Sequence, residues 1–101
     1  MNWYLPDGPV PCVWGDFNAC GWGGDGDESF YGLDREALAA ITVIEGMQVF
    51  VWTEDEEDTI LGCVAILQHV TLGSFIGWRA QPVPGTFYRG PRPDRMTAAG
   101  R

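Results

Sequence analysis

The chain has 101 residues, of which 46% are hydrophobic and 13% aromatic, so it can form one domain with a buried core. The sequence contains fourteen Asp and Glu residues and six basic residues, all of them arginine, and the formal net charge is −8. This composition excludes intrinsic disorder for most of the chain. The negative charge also argues against direct binding of the acidic body to a phosphate backbone.

The charge is distributed unevenly along the chain. Residues 1–78 hold thirteen of the acids and one base, Arg35, for a local net charge of −12. Residues 79–101 hold five arginines and one aspartate, for a local net charge of +4. The larger, acidic part favours a positively charged protein as partner.

The sequence shows no pattern that would direct the chain into or across a membrane. No apolar stretch reaches the roughly 18 residues that span a bilayer. Residues 1–11 lack the basic head and apolar run of a signal peptide. We therefore expect a cytoplasmic protein with no membrane partner.

The cysteines agree with that location. Cys12, Cys20 and Cys63 are odd in number and have no CxxC spacing, whereas a disulfide framework normally uses an even set. The pattern favours reduced thiols, with Cys63 packed inside a strand. A Cys12–Cys20 bridge and a zinc site that includes His69 stay open as alternatives.

The first predicted elements lie before residue 34. Residues 1–11 contain three prolines and are expected to form an extended lead-in with a turn at Asp7-Gly8. Residues 12–19 alternate as a first strand that bends at Gly15. Glycines and acids between residues 20 and 29 predict a loop, and residues 29–33 predict a short strand.

The clearest helix signal follows near residues 34–41. Asp34 is a suitable N-cap, and Glu36 in the first turn interacts favourably with the helix dipole. The β-branched residues 42–44 and Gly46 predict that the helix is short.

After Gly46 the apolar pattern alternates, which predicts a β-meander over residues 46–82. In its first strand Val49 and Val51 fall on one face, and Phe50 and Trp52 fall on the other. Residues 85–90 predict a further short strand. Residues 91–101 show no apolar periodicity, and we expect a disordered basic tail. Two alternatives stay open: the tail folds back onto the acidic body or a second protomer, or it contacts nucleic acid independently.

The stretches VIEGMQVFVWTEDEED, ILGCVAIL and FIGWRAQP resemble an SH3-like small β-barrel, in which an apolar turn opens into a long hairpin followed by a strand with tryptophan near its end. With VWGDFNA upstream, the layout is similar to that of short uncharacterised bacterial and phage proteins. The resemblance covers residues 10–82 and implies a binding scaffold without catalytic residues. We expect a mainly β (α+β) domain over residues 1–90. Its predicted form is a half-open barrel of four to five antiparallel strands with one short helix.

Five consecutive acids interrupt the meander, and we call them the acidic tip. A hairpin tip is exposed, and like charges there oppose association between sheet edges, so the acids can be a solvated turn only. Repulsion among five acids nevertheless costs stability, which favours their use in docking a basic partner. The acidic tip consists of Glu54, Asp55, Glu56, Glu57 and Asp58.

Aromatic residues are the second candidate binding feature. Five of them occur in the first 22 residues, and some must fill the core because the domain is small. Tryptophan and tyrosine are also frequent anchors of protein interfaces. Trp22 lies between glycines in the predicted loop, and we expect it to bind the partner.

A weak candidate calcium site overlaps the same loop. Asp25, Asp27, Ser29 and Glu36 match positions 1, 3, 5 and 12 of an EF-hand loop. Phe30 stands at position 6, where that loop requires glycine. A solvated acidic loop is the alternative, and we predict no resident metal or other cofactor.

His69 is the only histidine, and the sequence contains no GxSxG, HExxH, GxxxxGK(S/T) or Cys/His signature. We expect no catalytic residue and no enzyme activity.

The leading function is a non-enzymatic protein-interaction module that docks a basic partner through its acidic and aromatic loops. The alternative is an acidic DNA mimic or immunity-type inhibitor of a nucleic-acid-binding enzyme, of the kind that phages and mobile elements encode. The oligomeric state is open, and a homodimer is compatible with the sequence.

Overall fold

The computed structural model describes residues 2–20 and 29–91, and within these ranges the protein is mainly β. The elements are β1 (Asn2–Leu5), β2 (Gly8–Cys20), β3 (Phe30–Leu33), α1 (Arg35–Ala39), β4 (Gln48–Glu54), β5 (Thr59–Leu72), β6 (Phe75–Pro82) and β7 (Tyr88–Pro91). The predicted meander is confirmed as β4, β5 and β6. The expected count of four to five strands is too low, because seven strands occur in the described ranges.

The strands form one sheet in the order β1-β2-β3-β6-β5-β4, and β7 pairs with β5 outside this path. β2 also pairs with β4 in parallel, with Cys12 opposite Phe50 and Trp14 opposite Trp52. The other pairings are antiparallel. Since β2 pairs with both β3 and β4, the sheet curls back towards itself.

The N-terminal segment is a strand, not a lead-in. β1 and β2 form a hairpin with Leu5 opposite Gly8, and Gly8 has a φ of 131°, a conformation that glycine adopts readily. The ring of Trp3 stacks on the ring of Phe50 with centroids 3.9 Å apart and an interplanar angle of 3°. This long-range contact holds β1 against the second core cluster, whereas the three prolines had predicted only an extended segment.

β6 and β7 continue along β5 as one interrupted strand. Ala65 lies opposite Pro82 and Gly62 opposite Tyr88, so three steps along β5 correspond to six along its neighbour. The extra residues loop out, and the hydroxyl of Thr86 ties the loop to β5. Its Oγ1 accepts a hydrogen bond from the backbone N–H of Val64 at 3.1 Å and donates to the carbonyl of Val83 at 2.6 Å.

Both faces of β4 are buried, as the alternating pattern predicted. Val49 and Val51 belong to one core cluster, and Phe50 and Trp52 belong to another. The first cluster is covered by α1 and the segment that follows it, through residues that include Leu38. The second is covered by β1 and β7, through Trp3 and Tyr88.

The helix begins as predicted and ends early. The side chain of Asp34 accepts a hydrogen bond from the backbone N–H of Glu36 at 3.2 Å, which is the N-cap contact. α1 spans only five residues, so the predicted range 34–41 is too long at its C-terminal end. Among the described residues no helix is long and apolar enough to cross a membrane.

Candidate functional site

The acidic tip is the turn of the β4–β5 hairpin, the position that the sequence predicts. The backbone N–H of Asp55 donates to the carbonyl of Thr59 at 3.0 Å, and the N–H of Thr59 donates to the carbonyl of Glu56 at 2.9 Å. Asp58 has a φ of 57°, in the left-handed region. Glycine is the most favourable residue at such a turn position, and aspartate is among the few other residues that tolerate it.

The five acidic residues are exposed, but their side chains are not equivalent. The side chain of Glu56 is 78% exposed, whereas that of Asp55 is 32% exposed. The difference arises because a cation from another strand covers Asp55.

Arg89 of β7 is that cation. Its Nε lies 2.7 Å from Oδ2 of Asp55, and its Nη2 lies 4.0 Å from Oε1 of Glu56. β7 brings it there because Arg89 pairs with Leu61 of β5, three residues after Asp58. The hydrogen bond to Asp55, and then the charges of Asp55 and Glu56, raise the pKa of Arg89. In the sequence Arg89 is part of the basic C-terminal stretch, and no local pattern links it to the acidic tip.

Trp14 of β2 contacts the other end of the acidic tip. Its indole Nε1 donates a hydrogen bond to Oε2 of Glu54 at 3.0 Å, and its ring is half-buried against the second core cluster. The parallel pairing of Trp14 with Trp52 sets this position. The aromatic residue beside the acids is thus Trp14. Trp22, the residue chosen from the sequence, lies outside the described residues.

Of the weak calcium candidates, Asp25 and Asp27 lie outside the described residues. Ser29 is buried, with 2% of its surface exposed, and Glu36 is exposed on α1. In the described ranges, no group of three or more His, Cys, Asp or Glu side chains could hold a metal ion.

The thiol alternatives are also resolved by the described residues. Cys12 is a free, buried thiol in the second core cluster, so a Cys12–Cys20 bridge is wrong. Cys63 is buried in the first cluster, as the strand pattern predicted. His69 is exposed and packs edge-on against Trp78, with ring centroids 5.2 Å apart. The two buried thiols belong to different clusters, and His69 joins neither in a zinc site among the described residues.

Burial has a clear effect on the chemistry of Cys12. Loss of solvation raises its pKa from 9.0 to about 12, so the thiol is protonated at neutral pH. A buried, protonated thiol is a poor nucleophile and a poor metal ligand. Cys12 therefore behaves as a small apolar core residue.

No protein-family model matches this chain, and no curated protein or solved structure matches it either.

Proposed function

We propose that the protein is a non-enzymatic interaction module whose acidic tip docks a positively charged protein partner. One observation carries the proposal. The guanidinium of Arg89 lies against Asp55, while Glu56, Glu57 and Asp58 are exposed around it. An arginine of the chain itself thus makes the kind of charge-assisted contact that a partner's arginine would make at the neighbouring carboxylates.

The acids and the aromatic residues would contribute differently to binding. Exposed ion pairs add little affinity, but a concentrated negative charge accelerates encounter with a basic surface. Affinity then requires an apolar anchor. Trp14 is half-buried beside Glu54 and is the anchor that the described residues favour. Trp22, in the predicted glycine-rich loop, is proposed as a second anchor for the same partner.

We propose an SH3-like half-open barrel as the scaffold. The support is the set of pairings that joins β2 to β3, β3 to β6, β6 to β5, β5 to β4, and β4 to β2. In this arrangement β1 and β7 are additions that cover the second core cluster. A cytoplasmic setting belongs to the same proposal and is supported by the free thiol of Cys12.

The test compares two variants that lose the same number of charges. The first neutralises the exposed part of the acidic tip by Glu56→Gln, Glu57→Gln and Asp58→Asn, and it spares Glu54 and Asp55, which accept the hydrogen bonds from Trp14 and Arg89. The control neutralises three exposed acids elsewhere by Asp7→Asn, Glu36→Gln and Glu45→Gln. Both variants reduce the net charge from −8 to −5, so they differ only in where the charge is lost.

Each variant and the wild type are used to capture proteins from the source lysate at low and high salt. We expect the wild type and the control to retain a basic protein at low salt, and the tip variant to lose it. Equal retention by the two variants would refute a role for the acidic tip. If the captured protein binds nucleic acid and is released by duplex DNA, the inhibitor alternative is favoured.

A further inference from the structure

The end of the β5–β6 hairpin is a two-stranded ribbon whose outer edges pair with no further strand of residues 2–20 and 29–91. β5 and β6 pair from Ala65 opposite Pro82 to Leu72 opposite Phe75. Among the described residues, β4 pairs with β5 no further than Ile66, and β3 pairs with β6 only at Ala80. We call the five remaining rungs, residues 68–72 and 75–79, the ribbon.

The ribbon lacks the usual features that prevent strand association. Natural edge strands carry lysine, proline, acids or bulges. Residues 68–79 contain no lysine, proline or acid, and Ile76 at the edge is 70% exposed. A two-stranded ribbon is only marginally stable alone in water, so a third strand would stabilise it.

Charge favours a second copy of this chain as the source of that strand. Two chains of net charge −8 repel each other over most of their surfaces. No acid occurs between residues 59 and 93, and the ribbon itself carries one arginine, Arg79, at its base. The ribbon is therefore a place where two copies can approach with little repulsion.

The order of residues in β6 is also self-complementary. An antiparallel pair centred on Gly77 places Ile76 opposite Trp78 of the second copy, and places Trp78 opposite Ile76 in the same way. These two residues share one face of β6, because alternate residues of a strand do so. Aromatic and β-branched residues form favourable cross-strand pairs. In the same register Arg79 faces position 75 of the second copy, so the two arginines are separated.

We propose that the protein forms a two-fold symmetric dimer in which the β6 edges of two copies pair around Gly77. The edge of β5 is less suitable, because its exposed residues His69 and Thr71 are polar. Five rungs bury less than the roughly 1,200 Å² of a standard stable interface, so the dimer is weak and depends on concentration. The ribbon and the acidic tip lie at opposite ends of β5, which leaves the tip accessible in the dimer.

The test is sedimentation equilibrium of the full chain over a concentration series, with two matched variants. Ile76→Lys places a charge on the β6 edge. Ile44→Lys makes the same change at an isoleucine that is 62% exposed and outside the ribbon. We expect the wild type and Ile44→Lys to rise from monomer to dimer mass, and Ile76→Lys to raise the dissociation constant at least tenfold. A monomer mass for the wild type at every concentration overturns the proposal, as does an equal effect of the two substitutions.

A third variant tests the register without removing a contact. Gly77→Cys places two thiols opposite each other across the two-fold axis, at a separation that a disulfide can span. In a Cys20→Ser background, we expect a covalent dimer after mild oxidation of this variant and none without the Gly77→Cys change, because the two remaining thiols, Cys12 and Cys63, are buried. A dimer that does not cross-link contradicts the Gly77-centred pairing. The proposed docking function of the acidic tip is unaffected by either result.

Discussion

The indole Nε1 of Trp14 donates a hydrogen bond to Oε2 of Glu54 at 3.0 Å, although the two residues are 40 positions apart in the sequence. The contact joins β2 to the end of β4, where the parallel pairing of these two strands has just ended. It fixes one end of the acidic tip, as Arg89 fixes Asp55 next to it. Two of the five acids are therefore held by other parts of the chain.

This contact should be measurable as a coupling between the two side chains. We expect Trp14→Phe and Glu54→Ala to show a coupling free energy of about 0.5–1 kcal/mol in a double-mutant cycle of urea unfolding. The cycle cancels the apolar surface that Trp14→Phe removes, so the hydrogen bond alone remains. A coupling energy of zero would contradict the contact.

Trp3 should be a structural residue in spite of its position near the N-terminus. Because its ring stacks on Phe50 and contacts Tyr88, Trp3→Ala is expected to lower the free energy of unfolding by about 2–3 kcal/mol. Tyr4→Ala is the control, since Tyr4 is 48% exposed and should cost less than about 1 kcal/mol. Equal losses for the two variants in chemical denaturation would argue against β1 as a cover of the core.

Asp58 should limit the stability of the hairpin. Its φ of 57° is unfavourable for a residue with a side chain, and glycine removes both the strain and one negative charge. We expect Asp58→Gly to raise the free energy of unfolding by about 0.5 kcal/mol. Glu57→Gly removes the same charge at a position without a positive φ, and it should give no gain in the same denaturation experiment.

Gly62 should tolerate no side chain. A Cβ atom there would lie 2.5 Å from Cζ of Phe50 and 2.8 Å from the backbone oxygen of Val51. We expect Gly62→Ala to cost about 2–3 kcal/mol in thermal or chemical unfolding. Gly73→Ala is the comparison, because its Cβ meets no atom within 4 Å and only its φ of 58° is unfavourable. A loss of about 1 kcal/mol is expected there.

Cys12 should make the protein less stable at alkaline pH. Burial raises its pKa from 9.0 to about 12, so the unfolded chain loses the thiol proton before the folded protein does. Its contribution to stability is complete below pH 9 and declines as the pH rises towards 12. Urea unfolding of the wild type between pH 8 and pH 11 should therefore show a steeper decline than that of Cys12→Ala. Parallel pH profiles would contradict the raised pKa.

Local patterns were sufficient for much of the fold. Alternation in residues 47–53 predicted which side chains of β4 share a face, since that periodicity depends only on strand geometry. Asp34 predicted the start of α1, because an N-cap contact involves residues two positions apart. The acidic tip was predicted as a turn because charged residues between two apolar strands are expected at a hairpin.

Other features depended on contacts that no local pattern encodes. Residues 2–5, predicted as an extended segment, form β1 because Trp3 stacks on Phe50. β1 is one of the strands that the predicted count of four to five did not include. α1 ended at Ala39, although Ile41 and Val43 beyond it still pack against the first core cluster. The candidate site gained Arg89 because β7 pairs with β5 beside the acidic tip, whereas the sequence predicted residues 85–90 only as a short strand, without its partner.

The sequence by itself determined the class of the fold, the acidic character of the protein and the position of the five acids at a hairpin turn. Composition and short-range periodicity are sufficient for these properties. Only the tertiary structure decided which partners the acids have, namely Trp14 for Glu54 and Arg89 for Asp55. The physical reason is that strand pairing between distant segments sets these distances. Register across a sheet depends on the packing of the whole core and is not written in either segment alone.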